Sequence, residues 1–199
     1  MFNIKKNKLH FLEIIILCIL VISCSSFKTK FVEYKELLPD PSYLPCCWQL
    51  REKVEIISNS NRISLSSAIV ISENKLVVVI FDPLGKKLLN ISQIGRSVEV
   101  EKGEGITLEL PIELLLLGIF LRDMPNSGWS FEGSNWFVKK SGDKKILRHA
   151  NRTVLSLIEV NSPLEKLTEN KLESRKISNL YYHDLDLRVE ITRLKKLRL

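Results

Sequence analysis

From Cys46 onward the chain alternates apolar and polar residues with a period close to two. Trp48, Leu50, Val54 and Ile56 fall on one face of an extended segment, and Ile63, Leu65, Ile69 and Ile71 on one face of the next. Leu76 to Phe81 is apolar at every position, which predicts a central strand covered on both sides. Leu89 and Ile91, then Val98 and Val100, continue the series. Between them Asp82-Pro83-Leu84-Gly85 predicts a turn, because proline presets φ at the second position and glycine suits the fourth. Further strands are expected around Trp136–Lys140, Lys145–His149, Thr153–Val160, Glu173–Tyr181 and Asp184–Thr192. The last of these carries Leu185, Leu187, Val189 and Ile191 on one face and Asp186, Arg188 and Glu190 on the other.

Pro111 to Asp123 breaks this pattern. Leu114, Leu115, Leu116, Leu117, Ile119 and Phe120 leave no polar stripe, proline suits a first helical turn, and Arg122 sits near the end where a cation is favoured. The segment predicts a helix that is apolar nearly all round, and so buried on two sides or keeping a face for an apolar ligand. About ten antiparallel strands with one mid-chain helix imply a mainly β (α+β) fold: a curved antiparallel sheet forming an unclosed β-barrel with a helical lid.

The N-terminus follows a third pattern. Lys5, Lys6 and Lys8 precede an apolar run from Phe11 to Ile22, too short for a membrane span of about 20 residues, which ends at Ser23-Cys24. Glu13 interrupts the run. Val21-Ile22-Ser23-Cys24 resembles a lipobox, so residues 1–23 read as a cleaved lipoprotein signal peptide and Cys24 as the lipid anchor. Residues 24–45 then form an acylated N-terminus and tether, punctuated by Pro39, Pro41 and Pro45, and residues 46–199 the folded domain. Ser25 after the cysteine resembles a sorting signal that permits export, which places the protein on the periplasmic face of the outer membrane.

Charge and candidate chemistry narrow the function. The formal charge is +7, or about +5 without Lys5, Lys6, Lys8 and Glu13. The excess is spread along the chain, which suits anionic lipid and argues against nucleic acid. The one basic cluster, Lys195, Lys196 and Arg198, reads first as a solvated terminus and second as a headgroup contact. Cys46-Cys47 reads as a structural pair in preference to a vicinal disulfide, since adjacent residues of a strand point to opposite faces. His149 and His183 lack the spacing to complete a zinc site with those thiols. His183, Asp184 and Asp186 have no Gly-x-Ser-x-Gly nucleophile to serve. No metal, cofactor or catalytic residue is therefore assigned.

The order lipobox, strand, Asp82-Pro83-Leu84-Gly85, strand, then an apolar helix closing on Met124-Pro125 resembles the LolB and LolA superfamily of outer-membrane lipoprotein carriers. It is more similar to the LolB-like lipoproteins found beside aryl-polyene and fatty-acid synthesis genes. The resemblance covers residues 46–193 and implies an apolar concavity that holds acyl chains, with no catalyst required. Candidate lining residues are Val79, Phe81, Leu89, Ile91, Leu116, Phe120, Trp129, Trp136, Leu187 and Val189. Leu84 matches the leucine of a protruding hairpin that would contact membrane. The expected partners are membrane lipid through acylated Cys24, an acyl chain or lipoprotein client, and a soluble periplasmic carrier protein. The rival reading is a non-catalytic scaffold of an envelope assembly or polyene-lipid biosynthesis system.

Overall fold

Ten antiparallel strands form one unclosed sheet in the computed structural model, which describes residues 38–59, 61–103, 110–125, 129, 135–162 and 175–199. These lie within the unit Tyr34–Leu199. The signal peptide, Cys24 and the first part of the tether fall outside the described residues.

The strands are β1 (Trp48–Ser58), β2 (Asn61–Ile71), β3 (Lys75–Phe81), β4 (Lys87–Ile94), β5 (Ser97–Lys102), β6 (Trp136–Ser141), β7 (Lys144–His149), β8 (Arg152–Ser162), β9 (Arg175–Tyr182) and β10 (Leu187–Arg198). Their order across the sheet is β5-β4-β3-β2-β1-β10-β9-β8-β7-β6. Two five-strand meanders therefore meet where β1 pairs with β10, and the edges are β5 and β6. The chain between those edges contains the helix α1 (Ile112–Asp123), which packs on the concave face as the lid of the open barrel. Gly118 marks the tightest approach, since a Cβ there would come within 2.6 Å of Tyr182 Oη and 3.1 Å of Leu180 Cδ1 on β9.

Strand register explains the core. Leu50 pairs with Ile69, Ile69 with Val78 and Val78 with Ile91, so directly opposed residues carry one apolar surface across four strands. On the other side Ile56 pairs with Val189, Val189 with Leu180 and Leu180 with Leu157. Convex positions carry ion pairs such as Lys87 to Glu101 at 2.7 Å, which contribute little in water.

Four expectations change. The segment from Leu38 to Pro45, expected to be tether, belongs to the fold. Leu38 and Leu44 are buried, Pro41–Tyr43 form a 3₁₀ turn capped by Asp40, and the Gln93 side-chain amide donates to Pro39 O at 2.8 Å. Its prolines suppress sheet pairing, yet its leucines still find apolar partners. The last strand begins at Leu187, because His183 to Asp186 form a turn with Asp186 at φ 48°, and Leu185 is exposed there. That strand continues to Arg198, so Lys195, Lys196 and Arg198 are sheet residues paired with Arg51, Leu50 and Trp48. A register shift opposite Arg51/Glu52 breaks the period of two that would have revealed this. Cys46 and Cys47 are joined as a vicinal disulfide, where the sequence favoured a structural pair without that bond.

Candidate functional site

The candidate site is an apolar cavity between α1 and the concave face. Val54 and Ile56 of β1, Leu65 and Ile69 of β2, Val78 and Ile80 of β3, Leu180 and Tyr182 of β9, and Val189 and Ile191 of β10 supply the sheet side. Leu110, Leu115 and Ile119 supply the helix side. The only other lining residues are Glu52 and Ser67, which pair across β1 and β2. Its volume is about 70 Å³.

Of the expected lining residues, Val189 alone borders this cavity. Val79 and Phe81 lie on the opposite face of β3, half-buried, because Val78 and Ile80 turn inward. Leu89 and Ile91 are fully buried on the concave face of β4 but pack outside the cavity. Leu116 and Phe120 are fully buried about 100° round the helix from Leu115 and Ile119, which face the cavity instead. Trp136 stacks on His149 with ring centroids 4.6 Å apart, Trp129 is half-buried, and Leu187 is half-buried at the start of β10. None of those three lines the cavity.

Leu84 is 94 % exposed at the tip of the β3–β4 turn. Asp82 Oδ1 accepts from Leu84 N at 2.9 Å and Lys86 N at 2.8 Å, and Gly85 closes the turn at φ 84°. The leucine is thus displayed by a well-tied turn.

At Glu52 the cavity meets an ion network that sequence reasoning missed. Arg122, in the last turn of α1, donates to Glu52 Oε2 at 3.0 Å and to Asp123 Oδ2 at 2.8 Å. Arg193 of β10 donates to Asp123 Oδ1 at 2.8 Å and to Glu52 Oε1 at 3.4 Å. Two guanidiniums and two carboxylates balance, with the Arg122 and Glu52 side chains each 1 % exposed. Burial by itself would raise the Asp123 carboxyl, but Arg122 and then Arg193 outweigh it and hold the group at about 2. For Arg122, burial works to lower the guanidinium, and Asp123 and Glu52 reverse the effect and raise it. The neighbouring Lys145 of β7 caps the helix, its Nζ donating to Leu121 O at 3.1 Å and to Arg122 O and Met124 O at 3.4 Å. The C-terminal end of α1 is therefore strongly held. The N-terminal end, capped by Pro111, has no side-chain cap.

A possible nucleophile pair lies elsewhere. Ser156 Oγ is 3.0 Å from His183 Nε2, but Ser156 is buried between the concave positions Leu155 and Leu157, so it faces away from the cavity. Asp184 is committed to Arg152 at 2.6 Å. No cluster of metal-ligating side chains occurs among the described residues, and no helix among them is long and apolar enough to cross a membrane.

No protein-family model and no curated protein matches this chain.

Proposed function

We propose that the protein is a membrane-anchored, non-enzymatic lipoprotein that binds an acyl chain between α1 and the concave face. In this reading it passes acyl chains or lipoproteins on at the periplasmic face of the outer membrane, with a soluble carrier as donor. The observation that carries it is the cavity wall, formed by aliphatic side chains except for Glu52, Ser67 and Tyr182. An alkyl chain needs only such a surface, because removing it from water yields about 25 cal/mol per Å².

The cavity size sets the mechanism. At about 70 Å³ it is well below the roughly 300–1,000 Å³ of drug-sized ligand sites, so a long chain enters only when α1 moves off the sheet. The two ends of α1 are held unequally, and displacement begins at the uncapped Leu110 end while the Arg122 end stays pinned. Leu84 offers a second apolar contact, for the membrane or the client.

The test uses an environment-sensitive fatty acid. Wild-type protein binds it saturably, and Leu115→Trp, which fills the cavity from the half-buried helix face, weakens binding at least about tenfold with melting unchanged. Phe120→Asp is unsuited, because that ring is core and an unpaired charge there unfolds the protein. Leu84→Glu leaves probe binding intact and lowers lipid transfer to acceptor vesicles. Absence of saturable binding by folded wild type would leave the scaffold reading in its place.

A further inference from the structure

The end of the sheet where β1 starts and β10 finishes carries a surface that acyl binding does not use. Arg51, Lys195, Lys196 and Arg198 are exposed there, and none forms an ion pair among the described residues. Register sets Arg51 directly opposite Lys195, a like-charge pair that is unfavourable unless an anion lies against it. Lys196 and Arg198 fall on the other face, where the Lys196 ammonium is 3.9 Å from the centre of the half-buried Trp48 ring. Apolar side chains are interleaved with these charges. Leu194 is 57 % exposed and Leu197 41 %, and Tyr43, on the 3₁₀ turn at this end, is 53 % exposed. The β6–β7 hairpin finishes at the same end, with Lys139 and Lys140 exposed and Asp143 as its one acid. The described chain also enters here, since Pro39 O accepts from Gln93 near the end of β4 and Asp40 lies beside Gly95 in the β4–β5 turn.

We infer that this patch rests on the anionic phospholipid headgroups of the membrane that carries the anchor, with Leu194, Leu197, Tyr43 and Trp48 at headgroup depth. Cations and tyrosine or tryptophan side by side are what such a layer favours. The side chains leave from both faces of the sheet, so a surface met end-on, as a bilayer is, engages them together. The inference rests on the anchored reading and adds an orientation to it. Leu84 lies at the opposite end, because the β3–β4 turn is where β10 begins. The strands therefore stand upright on their own membrane and hold Leu84 away from it, towards the client or the acceptor.

Quenching of tryptophan by lipids brominated along their acyl chains reads the contact. Full-length protein purified from membranes is reconstituted in phosphatidylcholine vesicles with and without phosphatidylglycerol, and Trp48→Phe gives the background from Trp129 and Trp136. The Trp48 signal should be quenched at least about twofold more in the anionic vesicles, and added salt should shrink the difference. Arg51→Glu with Lys195→Glu exchanges one like-charge pair for another, so it should abolish the difference with melting unchanged. The milder Arg51→Gln with Lys195→Gln removes two of the four charges and should lower it by about half. Leu84→Glu, at the far end, should leave it intact. Quenching indifferent to lipid charge, or a preference that survives the double reversal, overturns the patch. Trp48 left unquenched in vesicles with which the protein still floats also overturns it, leaves the anchor standing and points to a protein partner at this end. Flotation with anionic vesicles alone, with Trp48 quenched, upholds the patch and overturns the anchor.

Discussion

Gly118 shows how a single position sets the distance between helix and sheet. No turn or positive φ requires glycine there; the absence of a side chain does, since a Cβ would stand 2.6 Å from Tyr182 Oη. Tyr182 is buried, which pushes its phenol up from its ordinary value. Gly118→Ala should therefore destabilise the fold by about 1–3 kcal/mol, as overpacking does in cores. Removing the opposing oxygen in Gly118→Ala/Tyr182→Phe should recover part of that loss, and denaturant unfolding of the four proteins measures the coupling. Additive effects would show that the helix adjusts without regard to Tyr182. Nothing in the sequence announces this role, because a glycine within an apolar run reads only as a weak helix former.

At the scale of one element, α1 combines an apolar body with a charged C-terminal end. Burying Arg122 is costly unless its partners are in place, and breaking such a pair by removing one member costs about 3–5 kcal/mol. Asp123 gives the arrangement a pH signature. Its native value of about 2 lies below the ordinary 3.8, so its stabilisation is fully present above about pH 4 and is lost as pH falls towards 2. The shift corresponds to about 2 kcal/mol. Asp123→Asn should lower stability at neutral pH and flatten the fall below pH 4 relative to wild type, in chemical unfolding measured across pH 2 to 7. Parallel curves would mean that Asp123 titrates alike in folded and unfolded chains. The helix itself was legible in the sequence from Pro111 and the leucine run, starting one residue later than expected, at Ile112. Which face it turns to the cavity was not, since a helix apolar all round has no polar stripe to orient it.

For the molecule as a whole, the decisive contact is β1 with β10, which joins two meanders made of sequence neighbours. Lys195 to Arg198 complete that pairing against Trp48 to Arg51, and Leu199 N donates to Cys47 O at 3.1 Å. Deleting residues 193–199 should thus behave as loss of structure. It removes Arg193 from Glu52 and Asp123 and exposes the start of β1, at a cost of about 3–5 kcal/mol. For a domain of this size that lowers the melting temperature by about 10 °C. A solvated tail would leave melting unchanged, and differential scanning calorimetry distinguishes the two.

The mainly β class, the Asp82 to Gly85 turn and the helix near Pro111 to Asp123 were determined by the sequence alone, because period, proline and glycine act over a few residues. The Asp82 to Gly85 turn and the inward set Leu50, Val54 and Ile56 are read directly from local pattern. Tertiary structure decided what local pattern leaves degenerate. In β3 every residue from Leu76 to Phe81 is apolar, so only pairing with β2 and β4 places Val78 and Ile80 inward and Val79 outward. The Arg122, Glu52, Asp123 and Arg193 network joins three elements separated by up to 141 residues, a distance over which no periodicity carries information. Lys196 follows the same rule: its charge is evident in the sequence, but the register shift in β10 is what seats it over Trp48.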